Sequence, residues 1–138
     1  MNIENTQSQM RKGILEFCIL SIIRRGEAYP SDIVEEMRAA NLQIFEGTLY
    51  PLLTRLKNAG LLTYRWEESK SGPPRKYYSL TPLGEKFLEE LRVTWNELVE
   101  AVNKTTKPSQ EATASAKATA DETASKATFN PQTSNPNE

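Results

Sequence analysis

GTLYPLLTRLKNAGLL (Gly47–Leu62), followed by GPPRKYYSLTPLGEKFL (Gly72–Leu88), decides the fold, because two hydrophobic rhythms meet there. Leu49, Leu52, Leu53 and Leu56 recur at i, i+3, i+4 and i+7, which places them on one side of an α-helix. At about 100° per residue the opposite side carries Pro51, Thr54, Arg55 and Asn58, with Thr48, Tyr50 and Lys57 on its flanks. Pro51 is tolerated only near a helix start, which puts the N-cap close to Thr48, and Gly60 ends the helix. The period then drops to two. Leu62, Tyr64 and Trp66 alternate with polar neighbours, as in a half-buried strand. A loop longer than a tight turn is expected over 68–74, and Arg75–Leu80 forms the returning strand. Thr81-Pro82 reads as an N-cap followed by proline at the first helical position. The helix so begun carries Leu83, Phe87, Leu88, Leu91, Trp95, Leu98, Val99 and Val102 and is expected to run to about residue 103.

Upstream, residues 10–25 (MRKGILEFCILSIIRR) are apolar almost all round and read as one buried helix stopped by Gly26. A helix so apolar in so short a chain needs cover on two sides, which points to a second subunit. Cys18 lies in this run and fits a small core residue. Residues 29–40 (YPSDIVEEMRAA) form the next helix, with Pro30 and Ser31 as start signals, Asp32 suited to the helix dipole and Asn41 as a left-handed stop. Three helices, a hairpin and a long last helix give a mainly α fold with a small β-hairpin: a winged helix-turn-helix plus a long C-terminal dimerisation helix. In that arrangement the second helix of the motif crosses the DNA backbone and the third enters the major groove.

Composition changes near residue 104. Residues 105–138 hold seven Thr, seven Ala and four Ser but a single large apolar residue, Phe129, and read as a disordered tail. The expected organisation is a DNA-binding domain over 1–80, a dimerisation helix over 81–104 and the tail beyond. The whole chain of 138 residues carries a net charge of −1, so bulk charge gives no sign of a nucleic-acid partner. Between Ile44 and Ser79, however, six Lys/Arg face three Glu, a local excess of three positive charges. There is no histidine and one cysteine, which removes the commonest general base, the usual zinc ligand and any internal disulfide. The paired carboxylates Glu35/Glu36, Glu67/Glu68 and Glu89/Glu90 are sequence neighbours that point apart. No glycine-rich phosphate loop is present. An enzyme is not expected, nor a cofactor or metal. The polar N-terminus and the absence of a long apolar run suggest a cytoplasmic protein with no membrane partner.

The two stretches quoted above, together with GILEFCILSII (residues 13–23), resemble the PadR family of bacterial transcriptional regulators over roughly residues 10–103. The single C-terminal helix is similar to the small branch of that family. The resemblance implies a homodimeric, ligand-responsive repressor with two winged heads on operator DNA and effector binding between subunits. The candidate DNA-contacting residues are Thr48, Tyr50, Thr54, Arg55 and Lys57 on the recognition helix and Lys70, Arg75 and Lys76 around the wing. A solvated helix face and a charged edge hairpin would leave similar patterns, and Tyr50 could equally be a packing residue. Trp95 is a candidate for a planar aromatic effector, because a tryptophan on the last helix sandwiches flat ligands in the resembled family; as a bare residue it fits a dimer anchor equally well. The competing reading is a winged-helix protein-interaction module without specific DNA binding, which the neutral domain would suit.

Overall fold

Seven elements follow one another in the structure, a computed structural model that describes residues 1–108. They are α1 (Ile3–Lys12), α2 (Leu15–Arg25), α3 (Pro30–Ala39), α4 (Glu46–Asn58), β1 (Leu62–Ser69), β2 (Gly72–Leu80) and α5 (Pro82–Thr106). The described part of the chain divides at Trp95, with Met1–Trp95 as one unit and the next beginning at Asn96.

The first unit is built on the residues that the periodicities select. Ile19, Leu20 and Ile23 of α2, Ile33 and Met37 of α3, and Leu49, Leu53 and Leu56 of α4 are buried together, with Leu62, Tyr78 and Leu88 closing the cluster. Both α3 and α4 end in the same way. Asn41 (φ 64°) and Gly60 (φ 83°) take the left-handed conformation. The next amide then reaches back, from Leu42 to the Met37 carbonyl at 2.8 Å and from Leu61 to the Leu56 carbonyl at 3.0 Å. Thr81 caps α5 as its sequence indicates. Its hydroxyl accepts from the Gly84 amide at 3.0 Å and donates to the Gly60 carbonyl at 2.6 Å, tying the start of α5 to the end of α4.

Several expectations need correction. The apolar stretch 10–25 is not one helix, because the chain breaks at Gly13 and Ile14, where Ile14 adopts φ −110°, ψ 0°. Glycine is a poor helix former, and a separate helix, α1, precedes the break. The Asn2 side chain caps α1 by accepting from the Glu4 amide at 2.8 Å, and none of its residues is buried. Helix α4 starts at Glu46, with Phe45 as N-cap, so Thr48 lies inside the first turn. The Phe45 carbonyl accepts from the Thr48 and Leu49 amides at 2.9 and 3.0 Å, so the first helical bonds start from Phe45 and not from Thr48. The hairpin turn is tight, only Lys70 and Ser71, and both strands run further than their alternation suggests. Register slips between Glu67↔Arg75 and Ser69↔Gly72, leaving Pro73 and Pro74 on a bulge, where the missing amide hydrogens cost no ladder bond. Ala28 adds a short third rung by exchanging hydrogen bonds with Tyr78 at 2.8 and 3.2 Å.

In the second unit, Asn96–Thr106 completes α5, two residues past the expected boundary, with Leu98, Val99 and Val102 exposed. Most of the 105–138 tail lies outside the described residues.

Candidate nucleic-acid interface

Burial of Leu49, Leu53 and Leu56 turns the far side of α4 outward, and Tyr50 and Thr54 share one flank of it. That flank faces β2 across a cleft of about 440 Å³. Its walls include Tyr50 and Thr54 from α4, Arg75 and Lys76 from β2, and Tyr29 and Ser31 at the start of α3. Trp66 and the proline bulge complete the wing side. The cleft thus gathers hydroxyls, two cations and one carboxylate, Glu46 at the start of α4, between the recognition helix and the wing.

Cross-strand pairing explains how the cations are held. Trp66 lies opposite Lys76 and Tyr64 opposite Tyr78. The Lys76 ammonium therefore sits over the Tyr64 ring at 4.5 Å and the Trp66 ring at 5.3 Å. On the other face Arg75 stacks over Tyr29 at 4.7 Å. Rings hold these charges near the cleft without neutralising them. Lys57, one turn beyond Thr54, lies over Tyr64 at 5.7 Å. Among the described residues, no ion pair involves Lys57, Lys70, Arg75 or Lys76, whereas Arg65 of β1 is clamped by Glu27 at 2.8 Å. The hydrogen bonds and charge of Arg65 hold the Glu27 carboxyl below its ordinary range. Burial, with the neighbouring Tyr64 and Tyr50 oxygens, pushes the Tyr78 phenol up, so it stays a neutral donor.

The sequence-selected residues do not all meet. Tyr50 is exposed on the cleft, not packed away. Thr48 lies on the opposite flank of α4, in a groove shared with α1. Arg55 also faces away from the wing, where it donates to the Glu16 carboxylate of α2. Lys70 stands at the turn of the hairpin. Tyr29, Ser31 and Trp66 were missed because a helix start and an alternating strand already explain them locally. Phe45, 68% exposed at the leading end of α4, was missed too, and an exposed aromatic immediately before a helix was the available signal. Trp95 is 39% exposed and its ring lies 6.2 Å from Phe17 of α2.

The model of the transcriptional regulator PadR-like family matches residues 19–90, which span α2 to the first turns of α5. The chain belongs to the PadR-like family. A PadR-like transcription factor from Bacteroides fragilis is 57% identical, covers 74% of this chain and 99% of its own, and superposes with a TM-score of 0.63. A PadR family regulator from Eggerthella lenta is 33% identical over 76% of this chain and 92% of its own, at a TM-score of 0.71. Bacillus subtilis PadR, solved in complex with operator DNA, is 25% identical over 58% of this chain and 47% of its own, at a TM-score of 0.55. PadR-like proteins are transcriptional regulators, not enzymes, and this winged helix-turn-helix is one of them. Among the described residues no helix is long and apolar enough to cross a membrane.

Proposed function

We propose that this PadR-like chain is a ligand-responsive repressor that binds operator DNA as a homodimer in the cytoplasm. The observation that carries the reading is the cleft between α4 and β2. Its cations are held by aromatic rings and, although Glu46 lines the same cleft, form no ion pair among the described residues, while most arginines elsewhere are paired with glutamates. In this reading Tyr50, Thr54 and Arg55 approach base edges and sugar-phosphate in the major groove. Lys57, Lys70, Arg75 and Lys76 meet phosphates, and Thr48 offers its hydroxyl on the other flank. The dimer is supported by the apolar side of α5, where Leu83, Phe87, Trp95, Leu98, Val99 and Val102 remain exposed in the single chain. An effector site at Trp95 is supported by that ring's open face, and a planar aromatic guest suits it by stacking. Repression, as the family resemblance implies, needs only occupancy of the operator and no reacting group.

A salt series tests the DNA reading directly. Each phosphate neutralised contributes a slope of about −0.9 in log K against log salt. Two heads, each using Lys57, Lys70, Arg75 and Lys76, should give a slope on the order of −7. Absence of duplex binding at low salt would overturn the proposal and leave the protein-interaction module as the better reading.

A further inference from the structure

Six arginines of the described residues are each tied to a glutamate: Arg24, Arg25, Arg38, Arg55, Arg65 and Arg92. Arg11 and Arg75 are absent from those pairs. Arg75 belongs to the wing cleft on one flank of α4. Arg11 lies beside the other flank, where a groove runs between the end of α1, the Asn41–Phe45 connection and Thr48 of α4. Lys12 and Ser8 line the same groove, with Gln43 and Phe45 opposite, and no carboxylate lines it.

From this placement we propose that the α1 groove is a second DNA-backbone site, in which Arg11 and Lys12 hold phosphates on the flank of α4 remote from the wing. The inference rests on the DNA-binding reading above and adds a surface to it. A major groove about 12 Å wide is bounded by two phosphate backbones, so a helix lying in it has one on each side. The wing can serve only one of them. On the other side Arg55 is engaged by Glu16, which leaves Arg11 and Lys12 as the cations there without an ion-pair partner among the described residues. Core packing gives no competing reason for α1, since the helix buries none of its residues. Its two basic residues at the last turn also complement the α1 dipole, but that role alone would not place them in a carboxylate-free groove next to the recognition helix.

The test uses the full chain and a labelled mixed-sequence duplex of three helical turns, titrated between about 50 and 200 mM salt. The double variant Arg11→Gln/Lys12→Gln should lower the magnitude of the salt slope by about 0.9 for each phosphate no longer neutralised, close to two units for each head engaged. Affinity at low salt should fall at least tenfold. The charge-preserving Arg11→Lys should keep the slope, and the double variant should melt with the wild type because α1 buries nothing. Phosphate ethylation that blocks the wild type on the strand remote from the wing should cease to block the double variant. If the wild type binds with a steep slope and the double variant keeps it, the groove is not a backbone site and the wing reading stands alone. If the wild type binds no duplex, the DNA reading itself has failed and takes this one with it.

Discussion

Gly84 and Gly47 both sit in the stretches that decide the fold, and alanine should act on them in opposite ways. A Cβ on Gly84 would lie 2.1 Å from the Leu61 carbonyl oxygen and 3.1 Å from both the Leu61 carbonyl carbon and Leu80 Cδ2. Real contacts need over an ångström more, so α5 would have to withdraw from the turn that ends α4. Three bonds resist that movement: Thr81 amide to the Leu61 carbonyl at 3.1 Å, Thr81 hydroxyl to the Gly60 carbonyl at 2.6 Å, and Gly84 amide to the Thr81 hydroxyl at 3.0 Å. Overpacking costs about 1–3 kcal/mol and one weakened hydrogen bond about 1 more. Alanine's better helix propensity returns about 1. The net loss of about 1–3 kcal/mol should lower Tm by roughly 5–20 °C for a domain of this size. At Gly47 a Cβ meets nothing within 4 Å. Gly47→Ala should therefore hold or raise Tm while weakening duplex affinity, because the open space it fills is where DNA is proposed to approach. Calorimetry on both variants, with duplex titrations beside it, checks the pair. An unchanged or raised Tm for Gly84→Ala would refute the close-approach argument, and a fall for Gly47→Ala equal to that of Gly84→Ala would show that both glycines serve packing.

Arg55→Ala should cost roughly 1–3 kcal/mol at the operator and relax sequence preference, because an exposed pair with Glu16 is worth under about 1 kcal/mol and can open on binding. Lys76→Ala should instead weaken all duplexes alike and reduce the salt slope by about one unit for each phosphate released; equal behaviour of the two in a titration series would sink that division. Leu98→Glu should give a monomer by sedimentation with the Met1–Trp95 fold retained, since Leu98 is 51% exposed in the single chain and its burial would come only from a partner; a persistent dimer would count against α5 as the interface. Burial pushes the Cys18 thiol above its ordinary range, so the native thiolate fraction at pH 8 lies below that of the unfolded chain. Disulfide-exchange reagents should react more slowly with the native protein, the rate climbing with pH and levelling off only at a pH above that at which the unfolded chain's rate does; a native rate equal to the unfolded one would overturn this. Planar aromatic compounds should quench tryptophan fluorescence at one site per dimer, with quenching kept in Trp66→Phe and lost in Trp95→Ala. Quenching that survives in Trp95→Ala would leave Trp95 as a packing anchor.

Features read correctly from the sequence are those whose causes are local. The α4 stripe of Leu49, Leu53 and Leu56 follows from helical spacing, the Thr81-Pro82 start of α5 from capping, and the Asn41 and Gly60 stops from left-handed backbone. Tyr78 emerges as the buried member of the Tyr77–Tyr78 pair only once Ala28 pairs with it, because alternation gives two faces without saying which meets the core. The helix break at Gly13 was hidden because Met10-Arg11-Lys12 reads as a lead-in to the apolar run that begins at Ile14, and the tight Lys70-Ser71 turn by two prolines that resemble loop residues.

The candidate site divides along the same line. That α4 presents Thr48, Tyr50, Thr54, Arg55 and Lys57 outward was settled by the sequence, because a helix with one apolar side must turn its other residues to solvent. Which of those residues share a surface was decided by tertiary structure. Arg55 meets Glu16 from 39 residues away, Arg75 meets Tyr29 across the sheet edge, and Arg11 comes to lie beside α4 although the core makes no use of α1. Charge acts through space and not along the chain, so whether a cation is neutralised or left for a phosphate depends on which carboxylate the fold brings within reach.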